Sequence, residues 1–247
     1  MKIFAHRGYS GRYPENTMLA FEKAADTRCD GIELDVQLTK DGEVVIIHDE
    51  RVDRTTDGAG FVRDLTLAEI QKLNAAKRGL SMEKPAAYAF QSVPSFEEYC
   101  AWAAGQALVT NIELKTSVYY YRGIEEKTLA LVTKYGLENR VLFSSFNHLS
   151  VMKIRELAPG IPCGALTDGE GIGQAGAYCD NFGLAYYHPD VRKLTEEVVD
   201  ECRRWKIGVN VWTVNRKKQV EKLSAWGCEG VITNYPAEVM GWVALKE

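Results

Sequence analysis

Short apolar segments alternate with amphipathic helical patterns along nearly the whole chain of 247 residues. Strands that alternate with helices are typical of a parallel sheet covered by helices. The predicted strands are residues 2–5, 32–38, 44–47, 109–114, 141–143, 162–166, 181–184, 207–212 and 230–232. The predicted helices are residues 17–25, 95–104, 124–135, 149–157, 195–205 and 216–226.

The second strand region is interrupted by Lys40-Asp41-Gly42-Glu43, where Asp-Gly is a hairpin turn signal. Counting this hairpin as one unit leaves about eight βα repeats, which in a chain of this length favour a closed barrel. No G-x-G-x-x-G motif follows a strand, which disfavours an open dinucleotide-binding sheet. We predict a single (β/α)8 TIM-barrel domain over residues 1–247, of the α/β class. Residues 51–93, with a short helix at 67–73, do not fit the repeat and are expected to be a small insertion after the second strand.

Net charge, cysteines and apolar runs bear on the partners and the cellular location of the protein. The formal net charge is −4, whereas nucleic-acid-binding proteins usually carry a basic patch, so nucleic acid is not an expected partner. The six cysteines include no C-x-x-C pair and fall in apolar stretches, which favours free thiols in a reducing compartment. The sequence has no apolar run suited to a signal peptide or membrane span. We therefore expect a cytoplasmic protein without membrane insertion. The sequence does not indicate the oligomeric state.

Alternation within two predicted strands places several carboxylates on one face. Side chains in a strand point to opposite faces in turn, so Glu33 and Asp35 share the face that points to the barrel axis. Glu113 takes the equivalent place in the strand at 109–114. Three carboxylates that converge would repel each other, and a divalent cation would remove that repulsion. Oxygen ligands suit Mg2+ or Ca2+, with Mn2+ as a third option. The alternative is a structural network in which the carboxylates pair with Arg or Lys.

Two of the four histidines lie where predicted strands end, at His6 and His48. The carboxyl ends of the strands form the active face of a TIM barrel. Two histidines at this face can serve as a general acid and a general base near neutral pH. Zinc binding is the rival role, and it would require more His or Cys close by.

Two cations belong to the same predicted barrel mouth. Arg7 can bind phosphate through two parallel hydrogen bonds, and Lys115 can bind it as a point charge. The alternative is that they form salt bridges with Glu15 or Glu113. Trp212 also points to the axis, where it could line a substrate pocket or cap the barrel core.

From residue 6 to residue 236, a series of motifs in this sequence resembles the motifs of the glycerophosphodiester phosphodiesterase family, in the same order. The matching motifs are His6-Arg7-Gly8, Pro14-Glu15-Asn16-Thr17, Glu33-x-Asp35, Thr39-x-Asp41-Gly42, His48-Asp49, Arg54-Thr55-Thr56, Gly58-x-Gly60, Val93-Pro94-Ser95-Phe96-Glu97-Glu98, Asn111-Ile112-Glu113-Leu114-Lys115, Ser144-Ser145-Phe146, Asn210-x-Trp212-Thr213-Val214-Asn215 and Gly230-Val231-Ile232-Thr233-Asn234-Tyr235-Pro236. Each motif alone is weak, and the ordered set is specific.

The resemblance implies a TIM barrel that releases an alcohol from a small-molecule glycerophosphodiester and leaves glycerol 3-phosphate. It implies that the metal ligands are Glu33, Asp35 and Glu113, that the acid and base are His6 and His48, and that Arg7 and Lys115 contact phosphate. It also implies a small insertion of the kind expected at residues 51–93. One departure is Asn234, where family members often carry Asp.

Three other functions compete with this expectation. A cyclising phospholipase or sphingomyelinase-type enzyme would use the same two-histidine chemistry, although secreted members would carry a signal and disulfides. A glycosidase needs paired carboxylates, but Glu33 and Asp35 on one strand face are too close together, and it would have no use for Arg7 and Lys115. A non-catalytic phosphate-ligand binding protein would be expected to have lost a histidine or a carboxylate.

Overall fold

A computed structural model of the chain describes residues 1–77 and 88–244. The strands within these ranges are β1 (Lys2–His6), β2 (Gly31–Leu38), β3 (Val44–Ile46), β4 (Val109–Leu114), β5 (Val141–Ser145), β6 (Cys163–Thr167), β7 (Tyr186–Pro189), β8 (Gly208–Val211) and β9 (Gly230–Thr233). The α-helices within them are α1 (Met18–Asp26), α2 (Leu67–Ile70), α3 (Phe96–Ala103), α4 (Ile124–Lys134), α5 (His148–Leu157), α6 (Ala175–Asn181), α7 (Glu196–Arg204), α8 (Lys217–Trp226) and α9 (Pro236–Ala244).

Eight of the described strands are parallel and form a closed ring surrounded by helices. Neighbours follow chain order, and β1 pairs with both β2 and β9, which closes the ring. β3 lies outside the ring and pairs antiparallel with the end of β2, where Val36 faces Ile46. The predictions of a (β/α)8 barrel and of a hairpin at residues 40–43 are therefore confirmed.

The apolar core lies between the barrel and its helices. Ile32, Leu34 and Ile112 are fully buried in one cluster with Phe21 of α1 and Tyr99 of α3. Burying one such side chain contributes roughly 1.5–3 kcal/mol to stability. Since these residues face the helices, the alternate residues of β2 and β4 face the barrel axis.

Hydroxyl side chains cap the starts of α1 and α3. Thr17 accepts a hydrogen bond from the backbone N–H of Ala20 at the start of α1, and Ser95 accepts one from Glu98 at the start of α3. Such caps satisfy donors that have no partner within the helix and are each worth about 1 kcal/mol.

The segment after β3 has a small core of its own, built on Val45 and Ile47. The other buried members of this cluster are Val52, Val62, Ile70, Ala75 and Val93. A capping box between Thr66 and Glu69 starts α2, which ends at Ile70 and is shorter than the predicted helix at 67–73. Residues 78–87 of the predicted insertion lie outside the described residues.

The prediction of a strand at residues 181–184 is wrong. α6 continues to Asn181, and Gly183, at φ +63°, turns the chain before β7 begins at Tyr186. A glycine in the left-handed conformation commonly follows a helix end, so the apolar residues around it belong to that turn. Helices α6 and α9 are not among the sequence predictions. α6 is short and begins Ala175-Gly176-Ala177, which leaves too few large apolar side chains to show a helical period.

No helix among the described residues is long and apolar enough to cross a membrane.

Candidate active site

Three carboxylates meet at the carboxyl end of the barrel strands. Glu33 and Asp35 come from β2, and Glu113 comes from β4, where it lies directly opposite Asp35 in the register. One carboxylate oxygen from each residue lies within 4.8 Å of the other two, and all three side chains are buried. The predicted alternation thus brings the three residues into one cluster.

The electrostatics of this cluster favour a bound cation. Burial, together with the charges of Asp35 and Glu113, raises the pKa of Glu33 well above its ordinary value. Burial also raises the pKa of Glu113. Burial acts in the same direction on Asp35, but positive charge on His48 when its ring is protonated, and on Arg7 and Lys115, outweighs burial and holds the pKa of Asp35 low.

A metal ion fits the donor set that these residues offer. The buried Asp35 Oδ1 has no hydrogen-bond partner among the described residues, and Lys115 Nζ, at 4.0 Å, is beyond hydrogen-bond distance. An ionised oxygen without a donor is costly in a protein interior unless a cation is close. Because all the candidate ligands are carboxylate oxygens, the cluster can hold a hard divalent cation.

His6, the last residue of β1, presents one ring nitrogen to the cavity. Its Nδ1 lies 2.6 Å from Asn234 Oδ1, and its Nε2 lies 4.0 Å from Glu33 Oε2. Since an amide oxygen can only accept, Nδ1 donates and Nε2 keeps its lone pair. Burial and the nearby charge of Arg7 lower the pKa of His6 to about 4, so the ring is neutral at pH 7.

His48 is backed by a carboxylate instead of an amide. Its Nδ1 lies 2.7 Å from Asp49 Oδ1, and its Nε2 lies 3.1 Å from Lys115 Nζ. A protonated lysine can only donate, so Nε2 accepts and Nδ1–H donates to Asp49. Burial alone would raise the pKa of Asp49, but its hydrogen bonds with His48 and Arg54 hold it below the ordinary value.

A turn with two residues of positive φ sets the place of Arg7. The φ angles of Arg7 and Gly8 are +55° and +77°, and a Cβ on Gly8 would lie 2.7 Å from the backbone carbon of Ala20. The Arg7 backbone N–H donates to Glu33 Oε2 at 3.0 Å, and Nη1 donates to Glu15 Oε1 at 2.8 Å.

Both salt bridges that were alternatives to phosphate binding are present. Arg7 pairs with Glu15 at 2.8 Å, and Lys115 pairs with Glu113 at 2.8 Å. These pairs do not balance the site, because five carboxylates face three cations, and full ionisation of the carboxylates would leave two negative charges. The residues counted are Glu15, Glu33, Asp35, Asp49 and Glu113 against Arg7, Arg54 and Lys115.

Part of the cavity wall is apolar. The cavity has a volume of about 110 Å³, and Phe146, Leu166, Trp212 and Ile232 line it together with His6 and His48. Trp212 packs edge-to-face on Phe146, with ring centroids 5.6 Å apart, and its Nε1–H donates to the His188 carbonyl at 2.8 Å. Trp212 also packs against the buried cluster of Phe4, Leu142 and Ile232 inside the barrel, so it occupies both positions considered for it.

Several residues around the site have no role in the sequence analysis. Asn234 holds His6, Asp49 holds His48, and Arg54 donates to Asp49. The position of Asp49 directly after His48 is a signal that sequence reasoning could have used. Asn234 and Arg54 give no such signal, because they are far in sequence from the groups that they contact.

A closed (β/α)8 barrel with a carboxylate cluster, two histidines and two cations at its carboxyl end defines a class of TIM-barrel hydrolases of anionic esters. Residues 6–238 match the model of the "Glycerophosphoryl diester phosphodiesterase family". The chain therefore belongs to this family and is a phosphodiesterase.

Relatives and solved structures agree with this assignment. The "Glycerophosphodiester phosphodiesterase" of Caldanaerobacter subterraneus is 39% identical over 241 residues, which cover 98% of this chain and 97% of that protein. The protein of the same name from Bacillus altitudinis is 40% identical over 238 residues, 95% of each chain. An Oleispira antarctica phosphodiesterase, solved in complex with the product sn-glycerol-3-phosphate, is 28% identical with a TM-score of 0.84, over 99% of this chain and 97% of that one.

Proposed function

We propose that this protein hydrolyses glycerophosphodiesters such as glycerophosphocholine or glycerophosphoethanolamine to glycerol 3-phosphate and an alcohol. The reaction depends on one divalent cation, Mg2+ or Ca2+, with Mn2+ as a third option. The whole chain of 247 residues acts as one catalytic domain in the cytoplasm.

The carboxylate cluster carries this proposal. Glu33, Asp35 and Glu113 lie close enough for one ion to contact all three, and full ionisation would leave two negative charges around them after the local ion pairs are counted. A divalent cation bound there would neutralise that excess and polarise a phosphoryl oxygen of the substrate. The same excess would repel the phosphodiester if no cation were bound.

His6 acts as the general base. It is neutral at pH 7 because burial lowers its pKa to about 4, and the hydrogen bond to Asn234 leaves the Nε2 lone pair in the cavity. His6 Nε2 therefore takes the proton of the nucleophile as its oxygen bonds to phosphorus. That nucleophile is either a water molecule or the neighbouring hydroxyl of the glycerol moiety, which would first give a cyclic phosphate.

His48 acts as the general acid. The Asp49 carboxylate at 2.7 Å from Nδ1 stabilises an imidazolium, as carboxylates behind catalytic histidines do. In the free enzyme Nε2 accepts from Lys115, so we expect the incoming phosphate to draw Lys115 away and Nε2 then to take up a proton from solvent. As the bond between phosphorus and the alcohol oxygen breaks, Nε2 gives that proton to the oxygen.

Arg7 and Lys115 bind the phosphate, and Trp212 packs against the glycerol carbons. Both cations already contact carboxylates of the cluster, so a bound phosphate would join the same charge network. The carbon skeleton of glycerol needs an apolar surface, and Trp212 and Phe146 provide one in the cavity wall.

The small cavity suits a soluble, deacylated diester. Specificity in TIM barrels resides in the loops after the strands, so the described residues of the insertion, 51–77 and 88–93, are expected to shape the side where the alcohol lies. A preference for intact phospholipid in vesicles over glycerophosphocholine would contradict this part of the proposal.

The experiment measures glycerol 3-phosphate released from glycerophosphocholine, with and without chelator. We expect exhaustive chelation to abolish activity and Mg2+ or Ca2+ to restore it. Glu113→Gln should be inactive with every cation, whereas Glu22→Gln, at an exposed carboxylate of α1, should match the wild type. Full activity after chelation would rule out the metal.

A further inference from the structure

Arg54 joins the two halves of the proposed site. Its guanidinium makes four hydrogen bonds, to Asp49 Oδ2 at 2.6 Å and Oδ1 at 2.9 Å, and to Glu15 Oε2 at 2.9 Å and Oε1 at 2.8 Å. Asp49 bonds to His48, and Glu15 bonds to Arg7. One side chain from the segment after β3 thus contacts the partner of His48 and the partner of Arg7.

The backbone that carries Arg54 is itself fixed. Val52 is fully buried in the small core of this segment. Its carbonyl accepts hydrogen bonds from the Thr56 backbone N–H at 3.1 Å and from Thr56 Oγ1 at 2.8 Å. Arg54 lies inside this turn, so the guanidinium has a rigid support.

The two carboxylates depend on Arg54 to different degrees. The Glu15 side chain is only 1% exposed and lies between Arg7 and Arg54, so losing Arg54 would leave it balanced by Arg7 alone. The Asp49 side chain is 30% exposed and could turn to solvent. Without Arg54, we therefore expect Glu15 to pull Arg7 out of position and Asp49 to stop fixing the His48 ring.

We propose that Arg54 is a positioning residue that aligns His48 and Arg7 at the same time by holding Asp49 and Glu15. This inference rests on the proposed function, in which His48 transfers a proton and Arg7 binds phosphate. A planar guanidinium can bind two carboxylates through paired hydrogen bonds, which an ammonium group cannot do. The role is therefore specific to arginine.

The kinetic test uses Arg54→Lys and Arg54→Ala, with Arg51→Ala as matched control. Arg51 is an exposed arginine of the same segment that pairs with Asp53 instead. On glycerophosphocholine we expect Arg54→Ala to lower kcat/KM about 100-fold, as small misplacements of catalytic groups do, and Arg54→Lys about 10-fold. The loss should appear in kcat through His48 and in KM through Arg7. Arg51→Ala should stay within about twofold of wild type.

A second readout does not depend on activity. Long-range 1H–15N NMR spectra at a pH where the rings are neutral report which nitrogen of each histidine carries the proton. We expect His48 to carry it on Nδ1 in the wild type and in all the variants, because Lys115 donates to Nε2. The Nδ1–H resonance should lie downfield in the wild type and in Arg51→Ala, where the proton bonds to Asp49, and move upfield in both Arg54 variants. His148, held by Tyr178 and the Leu166 carbonyl, should not change and serves as internal control.

The outcomes separate the two proposals. An inactive wild type would refute the proposed function, while the NMR comparison would still test Arg54. Wild-type kcat and KM in Arg54→Lys, or an unchanged His48 Nδ1–H resonance in the Arg54 variants, would overturn the positioning role. If Arg54→Ala does not fold, Arg54→Lys decides by the same two measurements.

Discussion

Replacing Glu33 by glutamine should stabilise the metal-free protein. Glu33 is buried, accepts a hydrogen bond from the Arg7 backbone N–H at 3.0 Å, and lies beside Asp35 and Glu113. Glutamine has the same shape, and its carbonyl oxygen can accept the same hydrogen bond. Its amide can donate to the neighbouring carboxylates. The substitution therefore removes one charge and little else.

The expected size follows from the distances in the cluster. Two unit charges 4.8 Å apart repel by about 3.5 kcal/mol at an effective dielectric constant of about 20. Glu33→Gln removes two such repulsions and one attraction to Arg7, so the net gain is of the order of 3 kcal/mol. For a chain of this size, that corresponds to a rise in Tm of about 6–12 °C.

The gain should depend on pH in one direction. The pKa of Glu33 is raised in the folded protein by burial and by the neighbouring carboxylates, so the folded state holds a proton that the unfolded state has lost. From the unfolded pKa of about 4.3 upward, wild-type stability falls by about 1.4 kcal/mol per pH unit until the folded pKa is reached. The advantage of Glu33→Gln should therefore be small near pH 4 and full above the raised pKa.

Thermal unfolding of both proteins in chelator and in saturating Mg2+ or Ca2+ measures this effect. A ligand at about 1,000 times its Kd stabilises the folded state by about 4 kcal/mol, so the metal should reverse the order and make the wild type the more stable protein. Glu22→Gln controls for the loss of a carboxylate at an exposed position. A lower Tm for Glu33→Gln in chelator at pH 8 would refute the reasoning and support a structural salt bridge with Arg7.

Two further predictions concern the histidines and the turn at Gly8. His48→Ala should lose roughly 10²–10⁴-fold on glycerophosphocholine and much less on a nitrophenyl phosphodiester, whose leaving group needs no acid. His6→Ala should lose similar amounts on both, and equal losses for both variants on both substrates would reject the split roles. Gly8→Ala, at φ +77° and with its Cβ 2.7 Å from Ala20, should lower the free energy of unfolding in urea by about 1–3 kcal/mol.

The barrel and the carboxylate cluster were accessible from the sequence because both follow from alternation within single strands. Ile32 and Leu34 on one side of β2 and Glu33 and Asp35 on the other show a period of two that any reader of the sequence can count. Parallel register then brings Glu113 opposite Asp35, because neighbouring strands in a barrel end at the same mouth. No knowledge of the loops is needed for this step.

The wrong strand at residues 181–184 shows where such counting fails. Phe182 and Leu184 are apolar and flank a glycine. The same apolar–Gly–apolar pattern occurs within strands and at the ends of helices. The choice between them depends on how α6 packs, and on Tyr186 and His188 facing the barrel interior from β7. These contacts depend on the three-dimensional packing of the chain and cannot be read from local sequence.

The proposed acid and base roles of the two histidines also depend on contacts that exist only in the folded protein. In the sequence, His6 and His48 are equivalent, since each ends a predicted strand and each could be acid or base. The structure distinguishes them by the group behind each ring, an amide from Asn234 for His6 and a carboxylate from Asp49 for His48. A carboxylate can compensate the positive charge of an imidazolium, whereas an amide can orient the ring but adds no charge. Asn234 reaches His6 from the far end of the chain, at the close of β9, so the asymmetry exists only once β9 pairs with β1 and closes the barrel. Asn234→Asp would place a carboxylate behind both rings. Under the proposed roles it should raise the pKa of His6 towards neutral pH and make it a stronger base, while His48→Ala should remain as defective on glycerophosphocholine as in the wild-type background.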